Sequence, residues 1–335
     1  SGNFYNEVVA EFTENLVSYT GLAGGQVLMA SGGAEAVEKA IKICRRWGFL
    51  KKKIQTKQSK IIVSRTNFHG RTYGVLSASS VYEYTYAFWP FTGGFIAANF
   101  GDIDALKQVI SDDNVAAFLV EPIQGEGGFI FPPEDYLREA EKLCRENNVL
   151  FVLDEIPTAF GRIGSPFPHF HYGVDPDIVI LGKALGGGVY PVSAAVAKSE
   201  IMEVLDPSSD GSTFGGNPLA AALGLAAIQI TEEDHLADKT QVVGAYFLKE
   251  LKKIKSEMIK EVRGLGLFIG LELHDSFKAR EVCWQLIKNG VVTASARGNV
   301  VRFTPPLTIT KGEINDALEI IDHIFRRDIK VGGSI

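Results

Sequence analysis

The sequence predicts an α/β protein: a large domain built on a mostly parallel sheet covered by helices, then a small C-terminal α+β domain. Three observations predict it. Short, strand-like, largely apolar runs recur at residues 60–64, 115–121, 150–154, 178–181 and 192–197, as strands buried on both faces do. Helical stretches such as 134–147 lie between some of them, and strands alternating with helices argue for a parallel sheet. After residue 254 the texture changes to a glycine-punctuated strand pair at 261–273, a helix at 277–289, a strand at 300–303 and a helix at 311–325. The large domain is therefore expected over residues 1–254 and the small one over 255–335.

Taken in order, residues 4–19 show helical periodicity, and 26–30 form a short apolar strand that runs into Ser31-Gly32-Gly33. Over residues 34–49 the apolar positions Ala36, Val37, Ala40, Ile41, Cys44 and Trp47 share one helical face, opposite Lys39, Lys42 and Arg46. That is an amphipathic helix with its N-terminus at the glycines. Two further helices are expected at 218–230 and 237–254, the second closing the large domain.

With 335 residues, 46% of them hydrophobic, the chain has material for a large core and too much for one compact layer pair. A net charge of −6, with both signs interspersed, gives no footprint for nucleic acid or an anionic membrane. Cys44, Cys144 and Cys283 lie far apart with no metal-ligand spacing, which suits core residues in a reducing compartment. No run is long enough to span a bilayer and no signal-peptide pattern opens the sequence, so a soluble protein is expected.

The chemistry gathers at strand ends. The run 148–153 delivers Asp154 and Glu155, and the run 177–181 delivers Gly182-Lys183 before Ala184-Leu185-Gly186-Gly187-Gly188. If these strands are neighbours, a carboxylate and an amine emerge at one sheet edge. A lysine there, in an apolar setting, is placed to lose its proton and form a Schiff base with an aldehyde. An aspartate beside it can keep a pyridinium nitrogen protonated, so the pair meets what pyridoxal phosphate needs. The plainer alternative is a surface lysine and a loop aspartate.

Four other segments bear on that choice. The turn Ser31-Gly32-Gly33-Ala34-Glu35-Ala36 enters a helix, and the first N–H groups of a helix favour an anion such as phosphate. Asn67-Phe68-His69-Gly70-Arg71-Thr72 offers an aromatic platform and an arginine fork, or else a loop aromatic and a surface arginine. Glu121-Pro122-Ile123-Gln124-Gly125-Glu126 sets two carboxylates at a strand end, where ligand crevices form in α/β sheets, or leaves them solvated. Gly211-Ser212-Thr213-Phe214-Gly215-Gly216-Asn217-Pro218 can donate N–H and O–H groups to a phosphate, or is an ordinary turn into a helix. His169 and His171 flank Phe170; a metal site is conceivable, but two polar loop histidines are the simpler reading.

In this order, these motifs together with Leu153-Asp154-Glu155-Ile156 and Leu181-Gly182-Lys183-Ala184-Leu185-Gly186 resemble the class III, fold type I pyridoxal-phosphate aminotransferases over essentially the whole chain. Within that family, Gly186-Gly187-Gly188-Val189-Tyr190-Pro191-Val192-Ser193-Ala194 and Phe88-Trp89-Pro90-Phe91-Thr92 are similar to the ornithine aminotransferases. The resemblance implies pyridoxal 5'-phosphate as cofactor and ping-pong transfer of the terminal amine of ornithine, or a similar ω-amino compound, to 2-oxoglutarate. N-acetylornithine and 4-aminobutyrate are the alternative donors.

Roles follow by position. Lys183 would carry the cofactor and shuttle the proton, and Asp154 would pair with the pyridine nitrogen. Phe68 and Ile156 would sandwich the ring; the N–H groups of Gly33 and Ala34 would hold the phosphate, joined by Thr213 from a second subunit, which requires a homodimer. Arg71 would grip a substrate carboxylate, and Arg302 the second carboxylate of 2-oxoglutarate or glutamate. Glu126 would pair with Arg302 when that carboxylate is absent.

The departures are specific. Pro157 stands where the family usually has a glutamine, Gly32 where it has Ser or Thr, Ala159 where it has glycine, and Asp210 where ornithine aminotransferases tend to have His. Family members also carry a segment ahead of the helix at Phe4, so either a longer polypeptide or a crippled truncation is expected. These differences motivate a reading of another class, a catalytically weak dimeric homologue with a structural or binding role. The expected compartment is the cytoplasm, or the mitochondrial matrix if a preceding segment carries a transit peptide.

Overall fold

A computed structural model describes residues 4–206 and 209–326. The chain divides into two units. The first takes the residues up to Pro122, then Pro132–Phe160 and Phe167–Glu232; the second takes Ile123–Phe131, Gly161–Pro166 and the residues from Glu233 on.

In the first unit the order is α1 (Glu7–Thr20), β1 (Gln26–Ala30), α2 (Gly33–Leu50), β2 (Lys60–Ser64), α3 (Tyr73–Leu76), α4 (Tyr82–Thr85), β3 (Phe95–Ala98), α5 (Ile103–Ile110) and β4 (Val115–Val120). It continues with α6 (Tyr136–Glu146), β5 (Leu150–Asp154), α7 (Pro168–Tyr172), β6 (Ile178–Leu181), a 3-10 turn Lys183–Gly186, β7 (Ser193–Ala197), α8 (Ser199–Met202) and α9 (Pro218–Glu233). Among the described residues the strands form a seven-stranded sheet in the order β1-β7-β6-β5-β4-β2-β3. Only β7 runs against its neighbours, β1 and β6; the other pairings are parallel.

The expected mostly parallel sheet is what forms, and burial on both faces explains why its strands read as largely apolar runs. Successive side chains of a strand point to opposite faces. Ile178, Ile180, Ala195 and Ala197 join one core cluster with α2, whereas Val179, Leu181, Ala194 and Val196 join another with Phe12 and Leu16 of α1 and Ala220 and Ala221 of α9. At the far edge, β3 is mostly half-buried; its four residues are all apolar, yet it is absent from the expected elements. The helix α5 is likewise absent from the expected elements, although Asp102 caps it by accepting from the Ala105 N–H at 2.9 Å.

The second unit is an antiparallel sheet in the order β10-β11-β9-β8, formed by Ala294–Ala296, Val300–Phe303, Phe268–Leu273 and Ile259–Leu265. Its helices are α10 (Leu236–Leu251), α11 (Ala279–Lys288) and α12 (Lys311–Arg326). Phe247 and Leu251 of α10, a helix expected in the large domain, lie in this unit's core with Leu271, Leu286, Val301 and Ile321. Cys44, Cys144 and Cys283 are buried free thiols, and burial pushes the first two well above the ordinary thiol range. Among the described residues no helix is long and apolar enough to cross a membrane.

Candidate active site

Parallel pairing of β5 with β6 sets Asp154 opposite Ile180, and the Glu155 N–H donates to the Ile180 carbonyl at 3.0 Å. The carboxylate ending β5 and the amine following β6 therefore leave the sheet at one edge. Asp154 is buried and each oxygen has one partner: Oδ1 accepts from the Ile156 N–H at 3.1 Å, and Oδ2 lies 2.7 Å from His69 Nδ1. Burial opposes charge on the His69 ring, but the hydrogen bond and charge of Asp154, with Glu121 adding to them, hold its pKa above the ordinary histidine value.

Lys183 opens the 3-10 turn with φ 46°, a left-handed conformation that costs a non-glycine residue about 1–3 kcal/mol. Gly182 before it is extended, and Leu185 and Gly186 after it are buried. Lys183 itself is exposed. That corrects the apolar setting expected of it, because this turn directs Leu185 and Gly186 inward and leaves Lys183 and Ala184 facing out.

The turn Ser31-Gly32-Gly33 leads into α2, whose first N–H groups, those of Gly33 and Ala34, have no intrahelical acceptor. Glu35 folds back so that Oε2 accepts from the Ser31 and Gly32 N–H groups at 2.9 and 2.8 Å. A methyl group on Gly33 would lie 3.0 Å from Ile156 Cδ1, so glycine lets the helix start close against Ile156. Gly182 also packs near Ile156, with 3.5 Å available to an added Cβ. Ile156 thus links the helix start, the Asp154 turn and the approach to Lys183.

The loop after β2 comes to the same place. Gly70 (φ 131°) passes so close to α2 that a methyl group there would stand 2.6 Å from Ala34 Cβ, a fit that requires glycine. The Phe68 N–H donates to the buried Glu121 at 3.0 Å. The Arg71 guanidinium sits over the Tyr84 ring at 4.1 Å and over Phe68 at 5.4 Å.

Thr213 and Phe214 are exposed, in a loop anchored to α2 through Asp210. The Asp210 carboxylate is bonded to both Lys39 and Lys42, and Asp206 to Arg46. The helix face opposite the apolar one is therefore partly covered, and Lys39 is only 5% exposed. At the end of the loop Asn217 Oδ1 accepts from the Ala220 N–H at 2.9 Å, capping α9.

Glu126 and Arg302 belong to the second unit. Arg302, on β11, places Nη1 2.5 Å from Glu126 Oε1, each side chain 32% exposed. The Glu126 segment is fastened by Arg263, which donates from Nε to the Phe129 carbonyl at 2.8 Å and from Nη2 to that of Gly128 at 2.7 Å. Nothing local in the sequence marks Arg263 for this task.

His169 corrects an expectation. It lies in α7, buried and stacked on Phe167, not in a polar loop. Nδ1 is 2.9 Å from Glu155 Oε1 and Nε2 is 3.0 Å from the Thr20 carbonyl. Two acceptors for two ring nitrogens describe an imidazolium, and the Glu155 charge raises the His169 pKa against the opposing effect of burial.

A fold type I sheet with a carboxylate and a lysine at one edge is the framework of an aminotransferase, and the chain belongs to that family: the sequence profile described as Aminotransferase class-III matches residues 1–325. It is a pyridoxal-phosphate-dependent enzyme that acts on amines and 2-oxo acids. Among curated relatives, an ornithine aminotransferase of Staphylococcus carnosus is 48% identical over 96% of this chain and 80% of its own length. A crystal structure of the ornithine aminotransferase of Toxoplasma gondii superposes with a TM-score of 0.94 at 40% identity, over 96% of this chain and 77% of that one. An acetylornithine aminotransferase structure from Elizabethkingia anophelis gives 0.84 at 38% identity, over 96% and 79%.

The donor set fits the cofactor: a buried carboxylate for a ring nitrogen, helix-start N–H groups for a phosphate, and an amine for an aldehyde. Two positions contribute less. Pro157 has no side-chain donor, and Gly32 lacks a hydroxyl although, among the described residues, only the Glu35 carboxylate, at 4.0 Å, lies near where a Cβ would be.

Proposed function

We propose that this aminotransferase moves the terminal amine of ornithine, or of a similar ω-amino compound, to 2-oxoglutarate in two half-reactions. The observation that carries the reading is the Glu126–Arg302 ion pair. A partly exposed pair of this kind is worth about 1 kcal/mol or less, so a substrate carboxylate can displace Glu126 at little cost. Arg302 then binds a diacid, and Glu126 neutralises it when the donor brings no second carboxylate. The names of the relatives support ornithine, and the Elizabethkingia structure supports N-acetylornithine as the second reading; 4-aminobutyrate is a third.

Pyridoxal phosphate, when bound, supplies an aldehyde that takes up and returns an amine and a ring that accepts electron density. Asp154 would hold a proton at its pyridine nitrogen, with the His69 hydrogen bond fixing the orientation of the carboxylate. The Gly33 and Ala34 N–H groups would hold its phosphate, and Phe68 and Ile156 would pack on its ring. Lys183 Nζ removes and returns the proton at the substrate's amine-bearing carbon. Arg71 orients the donor through its carboxylate.

Thr213 is assigned to the phosphate of a second copy's site. Its exposure supports this, together with exposed large apolar side chains on the same unit: Phe214 (69%), Val189 (76%) and Trp89 (71%). We therefore propose a homodimer.

Single-turnover half-reactions test the donor, followed by the visible absorption of the bound cofactor. Ornithine is expected to bleach the band and 2-oxoglutarate to restore it. A band that responds to N-acetylornithine or 4-aminobutyrate and ignores ornithine would replace the donor. A protein that takes up no cofactor would fit the catalytically weak dimeric homologue.

A further inference from the structure

We propose that Tyr84 is a positioning residue that sets the guanidinium of Arg71 and thereby the preference for donors carrying a carboxylate; this rests on the reading of Arg71 as the carboxylate grip. Three distances place Tyr84 at a junction. The Arg71 guanidinium lies over its ring at 4.1 Å. The ring meets Phe68 edge to face, with centroids 5.5 Å apart at 75°. Phe68 in turn lies 5.4 Å from the same guanidinium.

Arg71 stands in an irregular loop and is exposed, and a free arginine side chain has about 2 kcal/mol of rotamer entropy to lose when it grips a ligand. Stacking on an aromatic face removes that freedom in advance and leaves the in-plane N–H fork available to a carboxylate.

Tyr84 can serve as a fixed platform because its surroundings are tied down on both sides. Thr85 is buried and its Oγ1 donates to the Val81 carbonyl at 3.2 Å. The Tyr84 N–H donates to the Val81 carbonyl at 3.1 Å, and Val81 is buried. The loop that carries Arg71 is stitched to the same segment: the Thr66 N–H donates to Ser80 Oγ at 2.9 Å, and Asn67 Nδ2 to the Ala78 carbonyl at 2.9 Å. Ring and guanidinium are thus held by one braced piece of chain.

The test uses holoenzyme and two donors, ornithine and 1,4-diaminobutane, which is ornithine without its carboxylate, in single-turnover half-reactions. Tyr84→Leu is expected to weaken the apparent affinity for ornithine about 5- to 20-fold, with its maximal rate and the constants for the diamine near wild type. Tyr84→Phe, which keeps a ring, is expected to restore most of the ornithine affinity. Equal losses on both donors, or no change on ornithine, would overturn the proposal. Arg71→Ala separates the two levels. If it abolishes the preference for ornithine while Tyr84→Leu leaves that preference intact, Tyr84 alone is refuted. If Arg71→Ala itself leaves the preference unchanged, the reading of Arg71 fails and the proposal with it.

Discussion

His69 Nδ1 lies 2.7 Å from Asp154 Oδ2, and both side chains are sealed from solvent. A hydrogen bond to a charged group contributes about 1.5–3 kcal/mol, so its loss is felt wherever the charge and direction of Asp154 matter. His69→Ala is expected to lower the turnover number roughly 10- to 100-fold and to speed cofactor loss. His69→Asn, which retains an N–H donor, should keep part of both. Steady-state kinetics and the rate of apoenzyme formation on dilution check this; wild-type values in His69→Ala would remove the pair from the mechanism.

The buried His169–Glu155 pair makes a pH prediction with a definite sign. The folded pKa of His169 is raised, so its stabilising contribution is fully present below the unfolded value of about 6.5 and disappears as pH rises through the folded value. Urea midpoints should therefore fall across that interval in the wild type. In His169→Gln the slope should be shallower and the protein less stable at the acid end. Parallel curves for the two proteins would contradict this.

Gly32 is the position most open to repair. Because there is room for a side chain there, Gly32→Ser is expected to fold normally and to add one hydroxyl beside the start of α2. A single neutral hydrogen bond contributes about 0.5–1.5 kcal/mol, which is roughly a two- to tenfold tighter cofactor dissociation constant. Titration of apoenzyme with pyridoxal phosphate measures it, and unchanged affinity would place the phosphate away from Gly32.

Subunit exchange tests Thr213. Lys183→Ala is expected to abolish turnover, and Thr213→Ala to weaken cofactor retention severalfold, a hydroxyl–phosphate bond being worth about 1 kcal/mol or more. At a cofactor concentration that leaves Thr213→Ala largely unloaded, refolding the two variants together should recover activity above either alone, because one site of the mixed dimer then has both residues. Mixtures no more active than their parents would confine Thr213 to its own subunit.

Much of the first unit is legible in the sequence because burial on two faces leaves a plain mark on a strand. Asp154 and Lys183 are expected on adjacent strand ends, and β5 and β6 do pair. Periodicity, however, reports how deeply a residue lies, not what it lies against. That is why α10 reads as part of the large domain, and why nothing near Lys39 in the sequence announces Asp210, 171 positions away, which covers it. The His69–Asp154 bond joins residues 85 apart, and Tyr84 touches Arg71 only because the loop after β2 folds against α4. No local pattern encodes either. Capping does mark α5, through Asp102, where apolar runs alone do not.

The reversed strand β7 has a bearing on how the protein is made. Among the described residues β1 has no other strand partner in the sheet, and Ser193, at the start of β7, also holds the Gly32 carbonyl at 2.8 Å across 161 residues of sequence. Chains are synthesised from the N-terminus and fold in that direction as they emerge, while contacts of long sequence separation form slowly. The glycine turn precedes β7 by some 160 residues of chain, so it gains its sheet neighbour only after β7 has followed. A nascent chain therefore has its parallel strands β2 to β6 before the turn is locked, and competence to retain the cofactor waits for β7.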